Sequence, residues 1–281
     1  MTEDLAFGEG LTMFEEPEDY QQPKPQPTLV TFTRHAANVP HGSPSAVELR
    51  LLGNHPLWGH ILWNAAKHFT HYFDARKALV QNKTVLELGA GAALPSIVAA
   101  LNGARKVVVT DYPDVDLLGN IEYNLAHSVP ALMKQGTVQH AGYIWGYDPT
   151  PLLQHVAPPG TNAADVLTMP AKFDVVILCD LIFNHSQHRN MLQSCQQCLT
   201  TDPAKPGKAF VFFTHHRPNL AHCDMAFFDL ARDKFGFKVE HILSDQLEPM
   251  FAQDPGDPMV RATVHGYQLT KPLPTAAPSP S

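Results

Sequence analysis

Glu87, Gly89, Ala90 and Gly91 stand where one apolar run, Thr84-Val85-Leu86-Glu87-Leu88, gives way to a turn, and Asp111 ends a second run, Lys106-Val107-Val108-Val109-Thr110. Glycines at such a place let backbone pass close to a ligand, and an acid closing the next strand can accept hydrogen bonds from the hydroxyls of a ribose. The third glycine of a dinucleotide fingerprint would fall at position 94, but Leu94 and Pro95 stand there. Pro95 removes one of the backbone amides that a pyrophosphate needs at a helix N-terminus. A cationic, phosphate-free nucleoside has no such need, and Glu87 would favour its positive part. The pattern argues against hydride transfer with a nicotinamide dinucleotide and for chemistry on a sulfonium-bearing nucleoside.

A second group of residues follows the apolar run Val175-Val176-Ile177-Leu178-Cys179. In an open parallel sheet, ligands lie beyond the carboxyl ends of the central strands, so Asp180, Phe183 and Asn184 are placed to meet a substrate. Asp180 can accept a hydrogen bond from an amine, or cap the helix starting near Ser186; Phe183 can wall an aromatic pocket. Trp145 is a candidate to stack on an adenine, or to fill the rim of the core. His185 and His188 lack a third ligand in register and read as surface or capping histidines. Cys195-x-x-Cys198 sits in a helical pattern without a second pair, and no metal is expected.

The elements that must position these groups alternate along the chain. Strands are expected at 84–88, 106–110, 137–141, 173–179, 208–214, 236–243 and 260–269, with helices at 95–102, 114–127, 187–199 and 219–234, which makes a doubly wound, mostly parallel α/β sheet. Upstream, Ala46 to Leu51 alternates as a strand, and Leu29 to Phe32 can pair as another. Trp58, Ile61, Leu62, Ala65, Phe69 and Tyr72 recur at helical spacing, so a helix is expected to open at Pro56-Leu57-Trp58-Gly59-His60, with Trp58 packed in the core. The proline-bearing connection from 147 to 172 is long for a loop and reads as a disordered insert or a lid. The expected division is an N-terminal arm over 1–45, one domain over 46–270 and an unstructured tail over 271–281.

With 281 residues and 44% hydrophobic content the chain can bury one substantial core. Twenty basic against 27 acidic residues give a net charge of −7 without a dense basic run, which disfavours nucleic acid as a partner. The acidic N-terminus does not resemble a secretion signal, no apolar run is long enough to span a bilayer, and four cysteines fit a reducing compartment, so a cytoplasmic location is expected.

The Glu-x-Gly-x-Gly turn followed by Asp111 resembles the S-adenosylmethionine-dependent methyltransferases with a seven-stranded, Rossmann-like sheet. Further blocks sharpen the likeness: Pro56 to Ala65, Thr110-Asp111-Tyr112-Pro113-Asp114, Asn120-Ile121-Glu122-Tyr123-Asn124, Leu181 to His185, Met250 to Asp257, and Met13 to Asp19 in the arm. Together they are similar to the fungal elongation factor methyltransferases of the nicotinamide N-methyltransferase-like group. That resemblance implies a protein N-methyltransferase acting on the N-terminal glycine amine and adjacent lysine of translation elongation factor 1-alpha, with S-adenosyl-L-methionine as cofactor. It implies cofactor contacts at Trp58, Gly89 to Gly91, Asp111, Trp145 and Cys179. Relatives carry Asp-x-x-Tyr where this chain has Asp180-Leu181-Ile182-Phe183, so a role for a tyrosine hydroxyl does not transfer. A monomer is expected. Two alternatives share the cofactor residues: a small-molecule amine methyltransferase, and a cofactor-binding scaffold without catalysis.

Overall fold

Runs that are apolar at nearly every position can be buried only if both faces are covered, which places them at the centre of a helix-flanked sheet. The computed structural model describes residues 25–169, 172–251 and 253–271. An antiparallel pair, β1 (Thr28–Thr33) and β2 (Ala46–Leu51), precedes helix α1 (Asn64–Ala75). There follow β3 (Thr84–Leu88), α2 (Leu94–Leu101), β4 (Lys106–Asp111), α3 (Val115–Ser128), α4 (Pro130–Lys134) and β5 (Val138–Gly142), then short helices α5 (Thr150–Gln154) and α6 (Ala163–Val166). The chain continues through β6 (Val175–Cys179), α7 (His188–Cys198), β7 (Lys208–Thr214), α8 (Ala221–Asp233), β8 (Lys238–Gln246), α9 (Pro258–Ala262) and β9 (Thr263–Thr270).

Seven strands form one sheet in the order β5-β4-β3-β6-β7-β9-β8. The first five run parallel, and β9 is antiparallel to both its neighbours. This is the doubly wound, mostly parallel α/β architecture expected. Alternation within each strand divides the core in two: Val85, Val107, Ile177, Phe210 and Phe212 face one layer with Phe69 and Phe73 of α1, while Leu86, Val108, Leu178, Val211 and Phe213 face the other with Met191 and Phe227 of α7 and α8. Strand order reverses between β3 and β6, so their carboxyl ends diverge into a crevice.

Four expectations need correction. Helix α1 starts at Asn64, not near Pro56; Trp58 has φ of 63°, which no right-handed helix accommodates, and its side chain is 48% exposed instead of packed in the core. The connection after Tyr147 is neither disordered nor a lid over most of its described length, because Leu152 and Leu153 of α5 and Val166 of α6 are buried in the α7–α8 layer. The strand expected from 260 begins at Thr263, because the Asp257 side chain accepts from the Met259 amide and starts α9. Residues 1–24, including the Met13 to Asp19 block, and 272–281 lie outside the described residues. Lys271, assigned to the tail, is buried, and its ammonium donates to the carbonyls of Gln196, at 2.5 Å, and Leu199, at 2.7 Å.

The block Asn120 to Asn124 fastens β2 to the rest. Asn124 Oδ1 accepts from the Arg50 amide at 2.7 Å, while its Nδ2 donates to the Arg50 carbonyl at 2.9 Å and to the Ala92 carbonyl at 3.2 Å. Asn120 Oδ1 accepts from Arg50 Nε at 2.9 Å, and the Arg50 guanidinium lies 3.9 Å over the Tyr123 ring. Asn124 is fully buried, so its loss takes a side-chain partner from the Arg50 amide and the Ala92 carbonyl, while the Arg50 carbonyl still accepts from Asn120 Nδ2 at 3.0 Å. Asn124→Ala is expected to lower unfolding stability by about 1–3 kcal/mol in urea titration, whereas Glu122→Ala on the exposed face of the same helix should stay within about 0.5 kcal/mol.

Candidate active site

The turn after β3 is held from behind. Gly91 donates its amide to Asp111 Oδ2 at 2.8 Å, Ala90 donates to the Thr110 carbonyl at 3.0 Å, and Asp111 Oδ1 accepts from the Tyr112 amide at 2.7 Å. The two glycines serve different needs. Gly89 has φ of 61°, and a Cβ there would stand 2.6 Å from Leu181 Cδ2 and 3.1 Å from Trp145 Cζ2; at Gly91, with φ of 54°, there is open space and only the backbone conformation is demanding. Burial pushes the Asp111 carboxyl up, and the Gly91 and Tyr112 amides oppose that shift.

Glu87 lies on the α2 side of β3 and is 1% exposed. Its Oε2 accepts from the Ser96 amide at 3.1 Å and from Ser96 Oγ at 2.5 Å, near the start of α2. Burial nevertheless pushes its pKa up to about 8, with the charge of Asp111 adding to the effect and the two Ser96 bonds opposing it. The acid therefore braces the helix that follows the turn while bordering the cavity.

Asp180 is the most unusual residue of the crevice. It is 5% exposed, with φ of 52°, a left-handed conformation that aspartate tolerates better than most residues. Its Oδ1 accepts from the Thr214 amide at 3.0 Å and faces His216 Nε2 at 3.1 Å. Its Oδ2 is buried and has no hydrogen-bond partner among the described residues. Asp180 is thus not a helix cap; it crosses from β6 to the end of β7 and keeps one acceptor unspent. An unsatisfied buried carboxylate oxygen is costly unless a ligand supplies the donor.

A cavity of about 650 Å³ joins these features. It brings together the residues expected to meet cofactor or substrate: Glu87, the Gly89 to Gly91 turn, Asp111, Trp145, Cys179, Asp180, Phe183, Asn184 and Trp58. Trp145 is half-buried against the turn, and Cys179 lies at the floor with its thiol pushed well up by burial. Volume, aromatic surface, a glycine turn and acids suit an adenosyl sulfonium, so the residues present fit that cofactor. Among the described residues no group of three or more His, Cys, Asp or Glu is placed to hold a metal ion, and no helix is long and apolar enough to cross a membrane.

Several residues of the site escaped sequence reasoning. Trp63 lines the cavity just before α1, and its ring meets His216 at 4.9 Å between centroids. Tyr112, next to Asp111, also borders the cavity; its place beside the acid that closes β4 was a readable signal. His185 and His188 are not surface histidines. His185 Nε2 contacts Asp224 Oδ1 at 2.7 Å, His215 takes the other Asp224 oxygen at 2.7 Å, and His188 donates to the Ile182 carbonyl at 2.6 Å, packing the segment after β6 from behind.

Comparison with known proteins identifies the family. Residues 53–233 match the model of a family described as lysine methyltransferase. The chain is 44% identical to the protein N-terminal and lysine N-methyltransferase efm7 of Schizosaccharomyces pombe, covering 95% of this chain and 97% of that one. It is 41% identical to the EFM7 protein of Candida glabrata, with coverage of 96% and 99%. In fold it is similar to a Pyrococcus horikoshii protein assigned as an RNA methyltransferase (TM-score 0.50, 18% identity, 82% of this chain and 93% of that one). A Streptococcus mutans protein assigned as S-adenosylmethionine-dependent is similar too (TM-score 0.51, 14% identity, 89% and 57%). The chain belongs to the lysine methyltransferase family and is an S-adenosylmethionine-dependent N-methyltransferase.

Proposed function

We propose that the protein transfers methyl groups from S-adenosylmethionine to the N-terminal glycine amine of translation elongation factor 1-alpha and to the lysine beside it. The observation that carries this reading is Asp180, a residue lining the cavity that also holds the glycine turn, whose buried Oδ2 has no hydrogen-bond partner among the described residues. The names of the fungal relatives, which specify N-terminal and lysine methylation, support the amine class. The elongation factor itself comes from the resemblance of the sequence blocks. In this reading the transferase domain spans 46–270 and works as a monomer in the cytoplasm.

When bound, S-adenosylmethionine supplies an electrophilic methyl group on its sulfonium. Asp111 and the Gly89 to Gly91 turn would hold its ribose, Trp145 would stack on its base, Glu87 would favour its positive part, and Trp58 and Cys179 would complete the walls. Asp180 Oδ2 accepts from the substrate amine and aims its lone pair, Phe183 provides an aromatic wall, Asn184 gives a polar rim, and protons leave to water. Methyl transfer needs a neutral amine, a short distance and little water, so positioning is the main contribution. At neutral pH, deprotonating a lysine costs about 4–5 kcal/mol and an α-amine about 1 kcal/mol. An N-terminal amine is the easier first acceptor.

The direct test incubates the protein and labelled cofactor with extract from cells lacking the enzyme, then maps the label by mass spectrometry. Label on the first residues of elongation factor 1-alpha is expected; label only on nicotinamide or another small amine would replace this reading. Asp111→Ala should weaken cofactor binding by about tenfold or more in calorimetry, whereas Asp180→Asn, which retains the left-handed backbone, should cut turnover with cofactor affinity preserved. Because a bound cation favours ionised Glu87, cofactor affinity should rise with pH towards about 8 in the native protein and lose that dependence in Glu87→Gln. A flat native profile would remove Glu87 from the neighbourhood of the cation.

A further inference from the structure

The carboxylate proposed to receive the amine has a partner outside the cavity wall. His216, two residues beyond β7, sets Nε2 3.1 Å from Asp180 Oδ1, the oxygen that also takes the Thr214 amide. Trp63 meets the imidazole at 4.9 Å between centroids, with the rings inclined at 61°, and borders the cavity itself. Both local donors tether Oδ1, while the buried Oδ2 has no hydrogen-bond partner among the described residues.

We infer that His216 is a positioning residue for methyl transfer, fixing Asp180 so that Oδ2 meets the substrate amine and offsetting the carboxylate's charge there. The inference rests on the reading of Asp180 as the amine acceptor and adds a physical reason for its partner. A lone buried carboxylate would attract the ammonium form of the substrate strongly and so hold the proton that must leave. An imidazolium behind it cancels much of that field and keeps the acceptor geometry. The groups facing His216 are Asp180 after β6, Asp224 of α8 and Asp254 of the loop between β8 and α9. Burial works to lower the imidazole pKa, but the hydrogen bond and charge of Asp180, with Asp224 and Asp254, outweigh it and leave the pKa raised. The charged pair is therefore present below that raised value and is lost as pH climbs through it.

The test measures turnover on a glycine-initiated peptide against pH for His216→Ala, His216→Gln and Asp180→Asn, singly and combined, with cofactor affinity followed by calorimetry. In His216→Ala, turnover at neutral pH should fall about tenfold, with the acidic limb of the profile moved up by about one pH unit and cofactor affinity unchanged. His216→Gln keeps an N–H donor without the charge, so it should show the same displacement of the limb with a smaller loss of turnover. Added to Asp180→Asn, His216→Ala should change little, since its action runs through that carboxylate. Unaltered turnover and limb in both His216 variants, beside a deficient Asp180→Asn, would overturn the inference alone, as would additive losses in the combined variant. Full activity in Asp180→Asn would overturn the reading on which it rests.

Discussion

A turn that faces a ligand must have its buried polar groups satisfied from the other side, and the turn after β3 meets that constraint through β4 and α3. The Gly91 amide goes to Asp111, the Ala90 amide to the Thr110 carbonyl, and the Ala92 carbonyl to the Asn124 side chain. None of these partners lies in β3 itself. The turn keeps its shape only while β4, α3 and, through Asn124 and Arg50, β2 are in place, so the small β1–β2 pair is coupled to the crevice although it is not part of the main sheet.

The second half of the crevice depends on a comparable crossing. The Asp180 amide donates to the Phe212 carbonyl, and its side chain returns to Thr214 and His216, so the end of β6 is laced to the end of β7. Behind it, Asp224 spans His185 and His215. Charged groups in this region are paired in sequence-distant couples, yet Asp180 Oδ2 and, on the residue bonded to it, Thr214 Oγ1 are buried without a hydrogen-bond partner among the described residues.

The sheet was legible because its central strands are apolar throughout and the helices between them repeat on a different period, so local pattern and global architecture agree. Legibility failed where one local signal served two purposes. Trp58, Ile61 and Leu62 continue the helical spacing of α1 backwards, yet they line the cavity and Trp58 takes a left-handed turn. The prolines of the 147–172 segment read as disorder, whereas Pro151 sits in the first turn of α5, where a missing amide costs nothing, and the adjacent leucines are buried. The glycine turn, Asp111 and Asp180 were visible from their places after strands. His216 and Trp63 were not, since a histidine after a strand and a tryptophan before a helix acquire meaning only when β7 and α1 are brought to the same rim.

The sequence has three tryptophans, and Trp58, Trp63 and Trp145 all border the one crevice. One is half exposed near a turn, one abuts a histidine, and one leans on the glycine backbone. All of the indole emission of the protein thus originates within the walls of the chamber where the chemistry is placed. The native chain carries its own optical reporter of occupancy, with no label to attach and no background from indoles elsewhere.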